Sequence, residues 1–195
     1  MGVDKAAQKF CGRPLIELGV EKLSSFCAEV AIAGNRSDLV HIAPVVTETR
    51  VDTGPGAGVE AGLRFARYDW CLFVPVDVPL LPVALLRSWA AEVLAVEGEG
   101  VRGSYLVANG QPQPSICLLR RDCVGLISRA LNRDERRVRK LLTGIDAEFG
   151  AGALWVCDAA AFAPNAAAED LDRWFSNLNT PEEFARAEQS GSFSA

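Results

Sequence analysis

A short apolar stretch, WCLFVPVDVPLLP at residues 70–82, constrains the fold more than any other part of the sequence. Residues 71–76 form a run that is too short for a buried helix and rich in Val, Leu and Phe, which is typical of a strand covered on both faces. We therefore predict a central strand. The run stops at Asp77, which stands between Pro75 and Pro79, and proline has no N–H group with which to extend a ladder. Asp77 is thus expected at the carboxyl end of this strand.

Two interpretations of Asp77 stay open at this point. Ligands of open α/β sheets bind just outside the carboxyl ends of the strands, so a carboxylate there can hold a metal cation beside a phosphate. Alternatively, Asp77 is a loop residue that caps the following helix.

Composition limits the class of protein. With 195 residues and 49% hydrophobic content, and without a Gly/Ser/Pro-rich linker in its interior, the chain is expected to form one domain over residues 1–190, followed by a frayed tail at 191–195. Twenty basic and 25 acidic residues give a net charge of −5, which argues against a general nucleic-acid binder. No apolar run approaches the roughly 20 residues that span a bilayer. We expect a cytoplasmic protein without membrane contact, and a monomer by default.

The cysteines and the histidine argue against two kinds of site. The six cysteines have no C-x-x-C spacing and fall mostly in apolar runs, so they are predicted to be core thiols. His41 is the one histidine and has no Cys or His partner at ligand spacing, which argues against a zinc site and a Ser-His triad.

The chain alternates short apolar runs with helical patterns. Predicted strands cover 29–33, 42–46, 71–76, 103–108, 115–119 and 153–157, and predicted helices cover 14–26, 57–68, 82–96, 122–132 and 181–189. This alternation predicts an α/β fold with three layers, in which helices cover both faces of a doubly wound, mostly parallel sheet. Asn109-Gly110 between two strand-like runs indicates a hairpin or turn.

Three further motifs have a functional and a plain interpretation. The glycine-rich segment at residues 54–58, GPGAG, precedes a predicted helix. It can be interpreted as an anion-binding helix N-terminus or as a simple tight turn. The basic cluster at residues 133–140, RDERRVRK, can be interpreted as a binding site for an anionic substrate or as a solvent-exposed helix face. Thr180 and Glu183 match a capping box, which predicts a helix start at Pro181 just after Asn177 and Asn179.

Eight short motifs occur together and in order, and they give the chain a more specific resemblance. They are Gly2-Val3-Asp4-Lys5, Gly12-Arg13-Pro14-Leu15, Asn35-Arg36, Gly54-Pro55 with Ala57-Gly58, Pro75-Val76-Asp77-Val78-Pro79, Gln113-Pro114, Glu135-Arg136-Arg137-Val138 and Phe175-Ser176-Asn177-Leu178-Asn179-Thr180-Pro181-Glu182-Glu183. The sequence resembles the molybdenum cofactor guanylyltransferases, a family of Rossmann-like nucleotidyltransferases, over nearly its whole length. The last motif favours this family most over other nucleotidyltransferases.

The resemblance implies that GMP is transferred from GTP to the terminal phosphate of molybdopterin, with release of pyrophosphate and a requirement for Mg²⁺. Asp77 matches the family's magnesium carboxylate, and Lys5 matches the lysine that reaches the nucleotide phosphates. By position and chemistry, Arg136 and Arg137 are candidates to receive the pterin phosphate. Asn177 or Asn179 is a candidate to orient the substrate or a metal-bound water.

Departures from the family pattern keep alternatives open. The family opens with a strand and a glycine-rich phosphate loop, whereas this sequence starts at the Met-Gly that follows them, so we expect a fold without the first strand. Ala33 stands where the family tends to have an amide side chain, and Glu48 stands near the family's acid; both are candidate nucleotide-binding positions. A sibling enzyme that transfers CMP is one alternative. An inactive fragment that binds the cofactor or a molybdoenzyme chaperone is another.

Overall fold

A computed structural model describes residues 5–50, 54–96 and 100–190. The predicted tail at 191–195 and the residues Gly2 to Asp4 of the first motif lie outside this part of the chain. The described α-helices are α1 (Leu15–Ser24), α2 (Pro55–Phe65), α3 (Val83–Ala95), α4 (Val124–Asn132), α5 (Val138–Phe149), α6 (Ala168–Trp174) and α7 (Pro181–Ser190). The described strands are β1 (Lys9–Phe10), β2 (Arg13–Pro14), β3 (Ile32–Ala33), β4 (Val45–Val46), β5 (Trp70–Phe73), β6 (Gly103–Ala108), β7 (Gln111–Arg120) and β8 (Leu154–Asp158).

The described strands form one four-stranded sheet and two small ones. The large sheet has the order β5-β7-β6-β8, while β1 pairs with β2 and β3 pairs with β4 in separate sheets. The β3–β4 and β6–β8 pairs are parallel, whereas β5–β7, β6–β7 and β1–β2 are antiparallel. The sheet is mixed because β6 returns directly into β7 through a turn at Asn109 and Gly110, where both residues have positive φ as a tight two-residue hairpin requires.

Alternating residues of β7 show that the large sheet is covered on both faces. Ile116 and Leu118 join one hydrophobic cluster with α3 and α6, whereas Cys117 and Leu119 join another with α2, α4 and α5. Successive side chains of a strand point to opposite faces, so helices lie on either side of this sheet. The predicted three-layer α/β fold class is confirmed.

The predicted central strand at 71–76 differs from β5. The strand ends at Phe73, and β5 stands at the end of the strand order, paired with β7. The apolar run reflects packing on both faces of the sheet, where the half-buried side chains of β5 contact the two hydrophobic clusters, and it does not fix the position of the strand within the sheet. Pro75 then prevents extension of the ladder toward Asp77.

Two helices, part of one strand and the short β1–β2 pair were missed by the pattern analysis. α5 begins inside the basic run and α6 is only seven residues long, and neither gave a clear helical pattern of its own. β7 starts at Gln111 and includes Pro112 and Pro114, which were expected in a loop. A register shift of the ladder between Tyr105 and Leu106 accommodates the second proline, as a bulge does.

Residues near both ends of the described chain meet in one hydrophobic cluster. Phe10 and Leu15 contact Leu178 and Phe184, and the rings of Phe10 and Phe184 lie 6.4 Å apart between centroids. Val76 packs against the same cluster. The contacts therefore bring the segment before α1, the segment before α7 and the segment after β5 together.

The thiol prediction is correct for half of the cysteines. Cys117, Cys123 and Cys157 are buried, and Cys27 and Cys71 are half-buried. Cys11 is exposed, because it occupies the turn between β1 and β2 with φ +50°. No helix in the described ranges is both long and apolar enough to cross a bilayer.

Candidate functional site

Lys5, Asp77 and Asn179 meet at one corner of the molecule. The Lys5 ammonium donates a hydrogen bond to Asp77 Oδ2 at 2.7 Å and another to Asn179 Oδ1 at 2.5 Å. The Asp77 side chain is 13% exposed and that of Lys5 is 46% exposed. Because these residues are 72 and 174 positions apart in sequence, only the tertiary fold creates the cluster. We call it the Lys5–Asp77–Asn179 corner.

Backbone contacts hold the corner together. Leu178 N donates to Asp77 O at 2.9 Å, which ties the segment before α7 to the segment after β5. The Asn179 side chain donates to Asn177 O at 3.3 Å. Asn177 thus contributes its backbone, while its own side chain is exposed.

Glu183 fixes Asn179 from the first turn of α7. Its carboxylate accepts from Asn179 N at 2.6 Å and from Thr180 N at 3.0 Å, and Thr180 Oγ1 accepts from Glu183 N at 3.2 Å. The hydrogen bonds from these two backbone N–H groups lower the pKa of Glu183. The predicted capping box is confirmed, and the sequence signal S/T-x-x-E identifies Glu183 as a residue that supports the site.

The corner offers groups that can bind both an anion and a cation. An ammonium group has three N–H donors, and within the described chain two of those of Lys5 go to Asp77 and Asn179. One donor is left for a phosphate oxygen. Asp77 uses Oδ2 for Lys5, which leaves lone pairs for a cation.

The donor set fits a metal ion that is shared with phosphates, but not a complete protein cage. Among residues 5–50, 54–96 and 100–190, no three His, Cys, Asp or Glu side chains are grouped to hold a metal. Mg²⁺ is usually bound through one or two carboxylates together with substrate phosphates and water. Asp77 alone satisfies that pattern only when a phosphorylated ligand is present.

Glu48 and Ala33 lie together beside the first turns of α2. A Cβ atom placed on Gly58 would be 3.1 Å from Glu48 Oε1 and 3.5 Å from Ala33 Cβ, so glycine allows the Glu48 carboxylate to approach the helix. Burial raises the pKa of Glu48. The structure therefore brings these two predicted positions together.

A cavity of about 1000 Å³ adjoins this second group. It lies between the β3–β4 sheet and β5, and its wall includes Ala33, Glu48 and Gly58. The wall continues to Val76 and Val78, the two neighbours of Asp77. The cavity therefore extends from Glu48 to the residues on either side of Asp77, and its lining is mostly apolar.

The glycines of residues 54–58 are used for the turn and for close packing. Gly54 has φ +67° immediately before α2, a value that favours glycine. A Cβ on Gly56 would meet Leu141 at 2.7 Å. The plain interpretation explains these two glycines, and no contact of the described chain requires an anion there.

The structure does not bring Arg136 and Arg137 onto the Lys5–Asp77–Asn179 corner. Arg136 Nε donates to Asp134 at 2.9 Å, and Arg137 donates to Glu135 through its backbone N at 3.0 Å. The backbone hydrogen bond from Arg137 lowers the pKa of Glu135. The basic run borders α2 instead, since a Cβ on Gly54 would lie 3.8 Å from Arg136 O. Both side chains are more than half exposed.

One buried group was missed by the pattern analysis. Glu60 is 3% exposed and accepts hydrogen bonds from Arg50 and Ser128. A lone acid among the small residues of α2, PGAGVEAGLRF, is the signal that would have identified it, since buried acids require partners.

Solved structures show the fold that this chain shares. The fold is similar to that of molybdopterin-guanine dinucleotide biosynthesis protein A from Archaeoglobus fulgidus, with a TM-score of 0.73 at 20% identity over 96% of this chain and 90% of that one. It is also similar to a nucleotidyl transferase from Methanothermobacter thermautotroptrophicus, with a TM-score of 0.67 at 20% identity over 96% and 84% of the two chains. The chain thus shares the fold of these two proteins.

Sequence comparison then gives the family. A model described as MobA-like NTP transferase domain matches residues 1–149. Proteins named molybdenum cofactor guanylyltransferase are 31% identical in Serratia proteamaculans, over 96% of this chain and 87% of that protein, and 30% identical in Vibrio atlanticus, over 95% and 87%. The chain belongs to the molybdenum cofactor guanylyltransferase family of MobA-like NTP transferases, as the eight motifs predicted. It is a member of a nucleotidyltransferase enzyme family.

Proposed function

We propose that this protein transfers GMP from GTP to the terminal phosphate of molybdopterin, which yields the guanine dinucleotide form of the molybdenum cofactor and pyrophosphate. The Lys5–Asp77–Asn179 corner is the observation that carries the proposal, since it joins a cation, a carboxylate and an amide at 2.5–2.7 Å beside a strand end. The names of the relatives in Serratia proteamaculans and Vibrio atlanticus support the choice of GMP and the molybdenum cofactor.

The reaction makes one bond and breaks one. A phosphate oxygen of molybdopterin attacks the α-phosphorus of GTP, and the bond between that phosphorus and the bridging oxygen to the β-phosphate breaks, so pyrophosphate leaves with the bonding electrons. Negative charge grows on the equatorial and leaving oxygens, and the enzyme mainly has to position the reactants and neutralise that charge.

Each residue of the corner has a role in this proposal. Lys5 donates its remaining N–H to a nucleotide phosphate, for which a point-charge ammonium is suited. Asp77 holds Mg²⁺, which when bound would add positive charge against the phosphate oxygens. Asn179 holds the Lys5 ammonium, and the exposed Asn177 side chain orients the second substrate.

Glu48 is proposed to select the base. Guanine presents adjacent N–H donors at N1 and its exocyclic amine, and a carboxylate accepts two parallel hydrogen bonds well. Cytosine has one such donor beside an acceptor, which a carboxylate repels. Ala33 leaves room beside Glu48 and adds no polar contact. The exposed Arg136 and Arg137 are proposed to attract the pterin phosphate near the N-terminus of α2.

Nucleotide binding and turnover test the proposal. With Mg²⁺, GTP should raise the melting temperature more than CTP does, and pyrophosphate should appear only when GTP and molybdopterin are both present. A preference for CTP would favour the cytidylyl alternative. If GTP gives neither stabilisation nor pyrophosphate, the protein is the inactive binding form.

The basic run has its own test. Arg137→Ala should raise the KM for molybdopterin while the KM for GTP stays unchanged. Arg129→Ala is the control, because Arg129 is exposed and paired with Glu148 at 2.6 Å on the α4–α5 surface. Unchanged affinity of Arg137→Ala for molybdopterin would remove the basic run from the site.

A further inference from the structure

Glu60 is a buried acid in the middle of α2. Its side chain and that of Ser104 are the polar side chains that the described part of the chain buries. Ser104 accepts a hydrogen bond from Trp89 inside the core, which is a packing role. Glu60 is different, because a buried carboxylate is costly unless cations and hydrogen-bond donors surround it.

Three side chains surround the Glu60 carboxylate. Arg50 Nε donates to Oε2 at 2.6 Å, Arg64 Nη2 donates to Oε1 at 3.0 Å, and Ser128 Oγ donates to Oε1 at 2.5 Å. Burial by itself raises the pKa of Glu60, but the hydrogen bonds from Arg50, Ser128 and Arg64 outweigh it and lower the pKa to about 2. The group is therefore a carboxylate throughout the neutral range.

Arg50 differs from the other two partners in where it comes from. Arg64 belongs to α2 itself, one turn after Glu60, and Ser128 belongs to α4. Arg50 belongs to the segment 47–50 that follows β4, and it also donates to Asn132 Oδ1 at 2.8 Å. The pairing of Arg50 with Glu60 thus fastens this segment to both α2 and α4.

The same segment carries Glu48. Its carboxylate lies against Gly58 and Ala33, so the segment 47–50 touches α2 at two points, one through Glu48 and one through Arg50. Only the second point is an ion pair with a buried partner. Arg50 lies two residues after Glu48, so this pair holds the backbone next to Glu48 against α2.

We propose that Glu60 is a positioning residue, which acts through Arg50 to hold the segment 47–50 so that the Glu48 carboxylate meets the nucleotide base. The inference rests on the proposed function, in which Glu48 selects guanine. It assigns Glu60 no contact with either substrate.

The test compares Glu60→Gln with a matched control, Arg64→Ala. Glutamine keeps the shape of the side chain but removes the charge that binds Arg50. Hydrogen exchange of peptides covering 47–50 should become about tenfold faster in Glu60→Gln, the size expected for a weakened charged hydrogen bond. The KM for GTP should rise about tenfold and the preference for GTP over CTP should fall by a similar factor, while kcat changes little. Arg64→Ala removes a Glu60 contact that does not involve the segment 47–50. The exchange rate at 47–50, the KM for GTP and the preference for GTP over CTP should therefore stay at the wild-type values.

A second variant keeps the test valid if Glu60→Gln does not fold. Arg50→Gln removes the positive charge that pairs with Glu60, while Arg64 and Ser128 still donate to the Glu60 carboxylate. The same changes in exchange and in the KM for GTP are expected.

Distinct results separate this inference from the proposed function. Unchanged exchange at 47–50 in Glu60→Gln and Arg50→Gln overturns the positioning role, even if the melting temperature falls. Faster exchange with an unchanged KM and base preference overturns the link to the nucleotide. If the wild-type protein does not use GTP, the proposed function fails, and the exchange measurement still decides whether Glu60 holds the segment.

Discussion

The four-stranded sheet and the β3–β4 sheet differ in strand length, strand pairing and burial. In the large sheet, β6 is buried along most of its length and pairs on both sides, with β7 and with β8. Each strand of the small sheet has two residues, and a cavity of about 1000 Å³ separates it from β5. The large sheet therefore has a large hydrophobic cluster on each face, whereas the small sheet packs on a cluster of three buried residues.

This difference shows where the candidate site can lie. A close-packed core leaves no room for a ligand, and the two groups of site residues stand at the border between the regions. Asp77 follows the edge strand of the large sheet, and Ala33 and Glu48 belong to the small sheet and the segment after it. Changes in the large sheet should mainly affect stability, and changes along the border should mainly affect substrate use.

The largest effect is expected at the border itself. Asp77→Asn removes the carboxylate charge while it keeps the side-chain shape, so the rate of pyrophosphate release should fall by at least about 100-fold, with little change in the melting temperature. Asp158→Asn is the matched control, because Asp158 is an exposed acid at the end of another strand, β8. An Asp77→Asn enzyme with near wild-type kcat would remove this carboxylate from the chemistry.

The next effect contrasts the two cores. Trp89 is fully buried in the large-sheet core, and Trp89→Ala also leaves Ser104 without its donor, so it should lower the free energy of unfolding by about 4 kcal/mol. Ile32 in β3 lies beside the cavity, where less packing is lost, and Ile32→Ala should cost about 2 kcal/mol. Urea unfolding measures both. Equal costs would mean that the small sheet is packed as tightly as the large one.

The cavity should also make stability depend on pH through Lys22. This residue lines the cavity, donates to Pro79 O at 2.8 Å, and has its pKa lowered to about 8 by burial. A lysine with a lowered folded-state pKa binds fewer protons when folded than when unfolded, so stability rises with pH between about 8 and the ordinary value of 10.5.

Lys22→Met tests this relation. The variant should be more stable than the wild type by about 2 kcal/mol below pH 8. The difference should shrink as the pH approaches that of free lysine. A difference that does not change between pH 7 and pH 10 would contradict the lowered pKa.

The smallest effects have opposite signs in the two regions. Gly110 has φ +74° in the β6–β7 turn, and Gly110→Ala should destabilise the protein by about 1 kcal/mol. Gly19 lies inside α1 with no atom within 4 Å of an added Cβ, so Gly19→Ala should stabilise the protein by about 0.5 kcal/mol. Thermal unfolding of the two single variants is sufficient. If both variants raise or both lower the melting temperature, one of the two predicted effects of an added Cβ atom is wrong.

Local sequence signals predicted much of the fold. The runs at 82–96 and 103–108 became α3 and β6, and the capping box at Thr180 and Glu183 starts α7. Each depends on residues that are close in the chain. α5 was missed because its first turn lies in the basic run, where charge obscured the helical spacing of Leu141, Leu142 and Ile145.

The candidate site was predicted only in part. Lys5 and Asp77 were named from the resemblance and Asn179 from its position and chemistry, and the structure joins the three. Arg136 and Arg137 were named from position and chemistry, and their contacts include hydrogen bonds to Asp134 and Glu135 of their own segment. Glu60 was not named, although it is a lone acid among the small residues of α2; the helix sequence does not say which side chains surround it.

The sequence by itself determined the features that rest on local chemistry: the family, the hairpin at Asn109-Gly110, the start of α7 and an acid after β5. The tertiary structure alone decided that Lys5 meets Asn179, 174 residues away, and that Arg50 covers the Glu60 carboxylate. The physical reason is that the hydrophobic effect, which packs apolar side chains such as Phe10 and Phe184 against each other, is non-directional. It also does not depend on how far apart two residues are in the sequence. Polar groups are then placed by the core that forms around them.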